Sequence, residues 1–182
     1  MAGKDWNDVK PGPVKWRQIY MHENREVVNT SFPDITFRPL VYSCNQCSEP
    51  ACVLACGAGA ISKRDKDGIV LVDRKRCVNM QNCLSACPYG AIQIPDDTQE
   101  YPDSSWQTPH PPQKCTFRLD RWGNGQKPAC VMSCPQRALD AGTADYILRT
   151  YPAAVPATEV DGFPEDLHAG KHTLPNFYIK KR

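Results

Sequence analysis

The sequence predicts an α+β fold of short elements, organised by cysteines rather than by a large apolar core. Three observations carry this prediction. Seven of the ten cysteines lie between residues 44 and 87, in two consecutive motifs. A third, sparser copy of the same pattern ends at Cys134. Seventeen prolines divide the rest of the chain into pieces too short for long helices or a broad sheet.

Residues 1–40 contain no cysteine, and Pro11, Pro13, Pro33 and Pro39 predict a loop-rich N-terminal extension. Within it, residues 14–20 alternate well enough for a strand, while Trp6 and Trp16 read as packing or subunit-contact residues. The core, residues 41–94, opens with Cys44-Asn-Gln-Cys47-Ser-Glu-Pro-Ala-Cys52-Val-Leu-Ala-Cys56. Two β-rich segments, 58–63 and 69–72, flank Asp67-Gly68 and predict a hairpin. Asp73 is placed to cap the turn that leads into Cys77. The second motif, Cys77-Val-Asn-Met80-Gln-Asn-Cys83-Leu-Ser-Ala-Cys87-Pro88, runs into an expected strand over 89–94. Residues 95–142 comprise a proline-marked crossing loop and the third cysteine segment. Residues 143–182 form a tail with a short helix over 143–148 and a basic end, expected to wrap over the domain or a partner.

Self-comparison defines the repeat. Pro50-Ala51-Cys52-Val53-Leu54-Ala55-Cys56 aligns with Gln81-Asn82-Cys83-Leu84-Ser85-Ala86-Cys87 and with Pro128-Ala129-Cys130-Val131-Met132-Ser133-Cys134. Five residues after each last cysteine stands Ile61, Ile92 or Leu139. Clustered soft thiolates at this spacing suit iron–sulfur clusters. The second motif is close to the bacterial ferredoxin run, with Met80 replacing one ligand, and in such pairs the fourth cysteine of each run ligates the other run's cluster. A dicluster ferredoxin-like core with a degenerate third repeat and long loop-rich extensions is therefore expected. Disulfides are the weaker reading, because no signal peptide accompanies the cysteines.

Composition narrows the function. A net charge of +2 and a pI of about 8.0 do not mark a nucleic-acid or anionic-membrane binder. Mean hydropathy is −0.54, and no apolar stretch approaches the roughly 18 residues of a spanning helix. No leader is visible, so a cytoplasmic location is expected, with export folded on a signal-bearing partner as the alternative. No acid, base or nucleophile constellation appears among the four histidines and scattered hydroxyls, so no active site of its own is expected.

These residues resemble the iron–sulfur electron-transfer subunit of the dimethyl sulfoxide reductase family of molybdenum or tungsten enzymes. That family carries four cysteine groups. The second is matched in full by Cys44, Cys47, Cys52 and Cys56, and the third by Cys77, Cys83, Cys87 and Pro88-Tyr89-Gly90-Ala91. The fourth is matched by Lys114-Cys115, Cys130 and Cys134-Pro135, with Arg118 in place of its second cysteine. The first group has no counterpart in the sequence.

The resemblance implies one [4Fe–4S] cluster on Cys44, Cys47, Cys52 and Cys87. It implies a further cluster on Cys56, Cys77 and Cys83 with Met80 in the fourth-ligand place. Three thiolates suit a [3Fe–4S] cluster; a four-iron cluster with a thioether or outside ligand, or an empty site, stays open. Cys115, Cys130 and Cys134 read as relic ligands with Arg118 filling the site; a zinc site using His110 is the minor alternative. The implied function is an electron relay serving a large molybdopterin catalytic subunit, with a further electron-carrier or membrane-anchor subunit as an additional partner. The competing expectation is a mainly structural small subunit, as in transhydroxylase-type relatives.

Overall fold

The computed structural model describes residues 2–26, 34–160 and 172–180. A one-turn helix α1 (Ala2–Asp5) precedes strands β1 (Arg17–Glu26) and β2 (Asp34–Ser43), which pair antiparallel from Arg17↔Ser43 to Glu26↔Asp34. The expected strand over 14–20 is thus displaced toward the C-terminus and much longer. Val14 is buried, and its N–H is taken by the Gln99 side chain at 2.9 Å, so pairing starts only after it.

The core follows in short pieces: α2 (Ala51–Leu54), β3 (Ile61–Lys63), β4 (Val70–Val72) and α3 (Asn82–Ala86). Strands β3 and β4 form the expected hairpin, with Ile61 opposite Val72 and Gly68 left-handed at φ 70° in its turn. Asp73 Oδ1 accepts the N–H of Lys75 at 3.0 Å, fixing the turn before Cys77.

No strand forms over 89–94. Gln93 makes a single bridge to Gln113. The backbone N–H groups of Tyr89, Ala91 and Ile92 are directed to the Cys87 sulfur instead, and Gly90 adopts φ 55°. Amides committed to sulfur cannot also form a ladder.

Beyond the crossing loop come α4 (Leu119–Gly123), α5 (Ala129–Met132) and α6 (Ala144–Thr150). Helix α6 starts where expected: Thr143 Oγ1 accepts the N–H of Tyr146 at 3.2 Å as an N-cap. Strand β5 (Ala154–Pro156) pairs with β6 (Tyr178–Lys180). The basic Lys181-Arg182 lies outside the described residues.

Two apolar clusters hold the core, and both contain cysteines. One is Cys52, Ile61, Val70, Cys83 and Ile92, with Val53, Leu84, Cys56 and Cys87 against it. The other is Tyr89, Ala91 and Ala157, packed by Leu40, Phe177, Ile179, Cys44, Cys47 and Cys87. A core this small in which thiols fill central positions couples folding to whatever the thiols bind.

The described tail straps the first cysteine loop. Ser48 N–H donates to the Leu174 carbonyl at 2.8 Å, Glu49 N–H to that of Thr173 at 3.0 Å, and Asn176 N–H to that of Asn45 at 3.0 Å. Thr173 is fully buried, and its hydroxyl lies 3.2 Å from the Tyr89 hydroxyl and hydrogen-bonds the Cys47 sulfur. Thr173→Val, close in volume but without the hydroxyl, is expected to cost about 1–2 kcal/mol in chemical denaturation of the cluster-loaded chain. An unchanged midpoint would mean that the strap does not hold this loop.

Candidate iron–sulfur centres

All ten cysteines are free thiols. Their grouping follows from which sulfurs influence which. Cys47 and Cys52 each feel the thiolates of Cys44 and Cys87. Cys83 feels those of Cys56 and Cys77. By mutual charge, Cys44, Cys47, Cys52 and Cys87 form one set, to which Cys115 is also linked through Cys44, and Cys56, Cys77 and Cys83 form another. Each set takes one cysteine from the other motif.

Local backbone explains the crossing. Cys52 and Cys83 sit inside the one-turn helices α2 and α3 and are buried. The last cysteine of each motif lies just past its helix, where the chain turns away. Its sulfur is met by the N–H of the residue four positions on: Ala60 donates to Cys56 at 3.2 Å, Ala91 to Cys87, and Ala138 to Cys134 at 3.3 Å.

A second shared feature lies two residues after the first cysteine of each loop. Gln46, Asn79 and Phe117 are all left-handed, at φ 47°, 57° and 55°. Such conformations cost a non-glycine residue roughly 1 kcal/mol or more, and they persist where the surroundings impose them. They aim backbone amides inward: Asn79 N–H reaches the Cys77 sulfur at 3.4 Å, and Phe117 N–H bonds that of Cys115.

Burial pushes the Cys52 thiol up to about 12 and that of Cys47 to about 11, and neighbouring thiolates add to the rise. Cys83 and Cys87 are raised for the same first reason. Four such groups cannot ionise together unless a cationic core binds them. Inward N–H donors, free thiols and mutual proximity are the donor set that an iron–sulfur cluster requires. Among the described residues no three His, Cys, Asp or Glu side chains converge as ligands for one metal ion. This holds at all three cysteine copies alike; at the third, His110 is bonded to Asp97 at 2.8 Å.

Met80 stands at the rim of a cavity lined by Cys56, Cys77, Cys83, Asn79 and Gly57. Its side chain is more than half exposed, and a Cβ added to Gly57 would lie 3.5 Å from its sulfur. In the third copy, Cys115 lies near Cys130, whose sulfur accepts from Arg17 Nη2 at 3.3 Å. Arg118 is buried and left-handed, with Nη2 2.5 Å from Asp120 Oδ2. Trp6 Nε1 donates to that same carboxylate at 3.2 Å, and its ring faces the guanidinium groups of Arg118 and Arg121 at 5.2 and 4.9 Å.

Sequence reasoning missed several side chains that shape these sites. Gln46 donates to the Cys115 carbonyl at 3.1 Å and accepts from Val70 N–H at 2.8 Å. The strap residue Thr173 also escaped it, while Lys114 was read only as part of the Lys114-Cys115 motif match, with no role of its own. Gln46 and Thr173 carry no motif signal, since a glutamine or threonine is ordinarily a surface residue.

Comparison with known proteins agrees with this geometry. Residues 35–144 match the 4Fe-4S dicluster domain family. The chain is 36% identical over 154 residues to the B-chain of anaerobic dimethyl sulfoxide reductase from Escherichia coli (strain K12), covering 83% of this chain and 69% of that one. It is 35% identical over 146 residues to the nitrate reductase beta chain of Bacillus subtilis (strain 168), 79% of this chain and 28% of the relative. With the beta polypeptide of selenate reductase from Thauera selenatis it shares 34% identity over 158 residues, 81% of this chain and 41% of that one. This protein belongs to the iron–sulfur, electron-transfer subunits of the dimethyl sulfoxide reductase family of molybdopterin oxidoreductases.

Proposed function

We propose that the chain relays single electrons to or from a large molybdopterin-bearing catalytic subunit through two centres held by its first two cysteine motifs. The observation that carries this reading is the pair of crossed thiol sets, each with a buried cysteine on a one-turn helix and with N–H donors turned toward sulfur. Cys44, Cys47, Cys52 and Cys87 would hold a [4Fe–4S] cluster. Cys56, Cys77 and Cys83, with Met80 at the rim, would hold a second cluster, of the [3Fe–4S] type. Bound there, the clusters supply reversible one-electron uptake. The protein contributes ligand geometry, hydrogen bonds to sulfur and exclusion of water.

The third copy is read as a former cluster site. Its loop keeps the left-handed turn and the N–H to sulfur contacts, while the buried Arg118 at the missing ligand position is engaged by Asp120 and Trp6. Arg118→Ala is expected to lower stability by roughly 1 kcal/mol, because it opens a gap where the buried guanidinium sat, while Asp120 stays exposed to water. Iron content should stay unchanged, and a fall in iron with this variant would make Arg118 part of a working site. No described helix is long and apolar enough to cross a membrane.

Iron removal from the assembled enzyme tests the relay. Activity driven by an outside electron donor or acceptor should fall in step with iron lost from this chain. Full activity after iron loss would favour the structural-subunit reading.

A further inference from the structure

Lys114 is 3% exposed. A buried lysine is rarely unpaired, because dehydrating an ammonium is costly unless charge or hydrogen bonds compensate. Its Nζ has three N–H donors and three acceptors: the Val70 carbonyl, the Cys115 carbonyl at 3.2 Å and Cys44 Sγ at 3.5 Å. Neither carbonyl carries a net charge, and among the described residues no carboxylate pairs with it. The group nearest to it that can carry a negative charge is the Cys44 sulfur. Its charge also bears on Cys52, where it opposes the burial that pushes that thiol up. In the second set, by contrast, the hydrogen bonds to Cys56 and Cys77 come from the neutral amides of Ala60 and Asn79.

We infer that Lys114 is the built-in countercharge of the Cys44/Cys47/Cys52/Cys87 centre and makes that centre easier to reduce than its ligands alone would. This rests on the ligand assignment proposed above. One-electron reduction of the centre adds one negative charge and breaks no bond in the protein. A buried ammonium at hydrogen-bond distance from a ligand sulfur attracts the reduced state more strongly than the oxidised one. The third cysteine segment, which has lost its own ligand at position 118, would thereby still serve the first centre through the residue before Cys115. Lys114 is a positioning and tuning residue, not a ligand.

The test is a potentiometric titration of the full, cluster-loaded chain under anaerobic conditions, with each centre followed by its own EPR signal. Lys114→Gln and Lys114→Met are expected to lower the first centre's midpoint by about 59 mV or more, a roughly tenfold change in a one-electron equilibrium. The second centre should move less, and Lys114→Arg should stay nearer the unmodified chain. Unmoved midpoints, or equal falls at both centres, overturn the inference. Loss of the first signal in both neutral variants but not in Lys114→Arg supports the same charge requirement; loss in all three marks a steric role and overturns it. Iron and sulfide counts on Cys44→Ser separate the two levels. Retention of all iron there means the ligand assignment has failed, whereas loss of a cluster with unmoved Lys114 midpoints sinks only the countercharge.

Discussion

Replacing Cys87 with serine is expected to abolish the centre of the first motif while sparing that of the second, although Cys87 belongs to the second motif. The reason lies in the turn after α3. It carries the Cys87 sulfur toward Cys44, Cys47 and Cys52, and the N–H groups of Tyr89, Ala91 and Ile92 fix it there. Cys56→Ser should do the converse, removing the second centre and sparing the first, because the Cys56 sulfur lies with Cys77 and Cys83. Each variant should lose roughly half of the bound iron, and a different EPR signal should vanish in each. Loss of the centre belonging to the variant's own motif would mean that the clusters are held motif by motif. Thermal stability should also fall steeply in both, since Cys52, Cys83, Cys56 and Cys87 all belong to or pack on one apolar cluster, and ligation free energy is folding free energy here.

Met80→Cys should raise iron content by about one atom per chain and convert the second centre to a four-iron cluster. Met80 is the natural place for this gain: it follows left-handed Asn79, precedes left-handed Gln81, and lines the cavity shared by Cys56, Cys77 and Cys83. The oxidised-state EPR signal of a three-iron centre should disappear and a reduced-state signal should replace it. Unchanged iron would place the fourth-ligand position elsewhere, or show that the native site already holds four irons through another ligand.

Much of this was legible in the sequence, for a physical reason. Ligand motifs demand particular residues at particular spacings, so Cys44, Cys47, Cys52, Cys56, Cys77, Cys83 and Cys87 stood out as candidates, and the β3–β4 hairpin around Gly68 forms as expected. Elements whose backbone groups are claimed by the sites were harder to read. Residues 89–94 have strand-like side chains, yet three of their amides serve the Cys87 sulfur. The left-handed turns at Gln46, Asn79 and Phe117 share a conformation and no chemistry, so no alignment of side chains reveals them. The strand expected over 14–20 begins only at Arg17, because Gln99 takes both the N–H and, at 3.2 Å, the carbonyl of Val14, a contact between residues 85 apart in sequence. Long-range partners of that kind leave no local trace. The tail was expected to wrap over the domain or a partner, and the hydrogen bonds of residues 173–176 to the first cysteine loop put its described part on the domain itself.

The most direct test of two crossed centres is iron and sulfide counting on the anaerobically purified chain, with low-temperature EPR of its oxidised and dithionite-reduced forms. About seven irons per chain are expected, with an oxidised signal from a three-iron centre on Cys56, Cys77 and Cys83 and a reduced signal from a four-iron centre on the other set. About four irons with no oxidised signal would contradict the two-centre reading, leaving only the Cys44/Cys47/Cys52/Cys87 centre and a chain that cannot pass electrons between two sites.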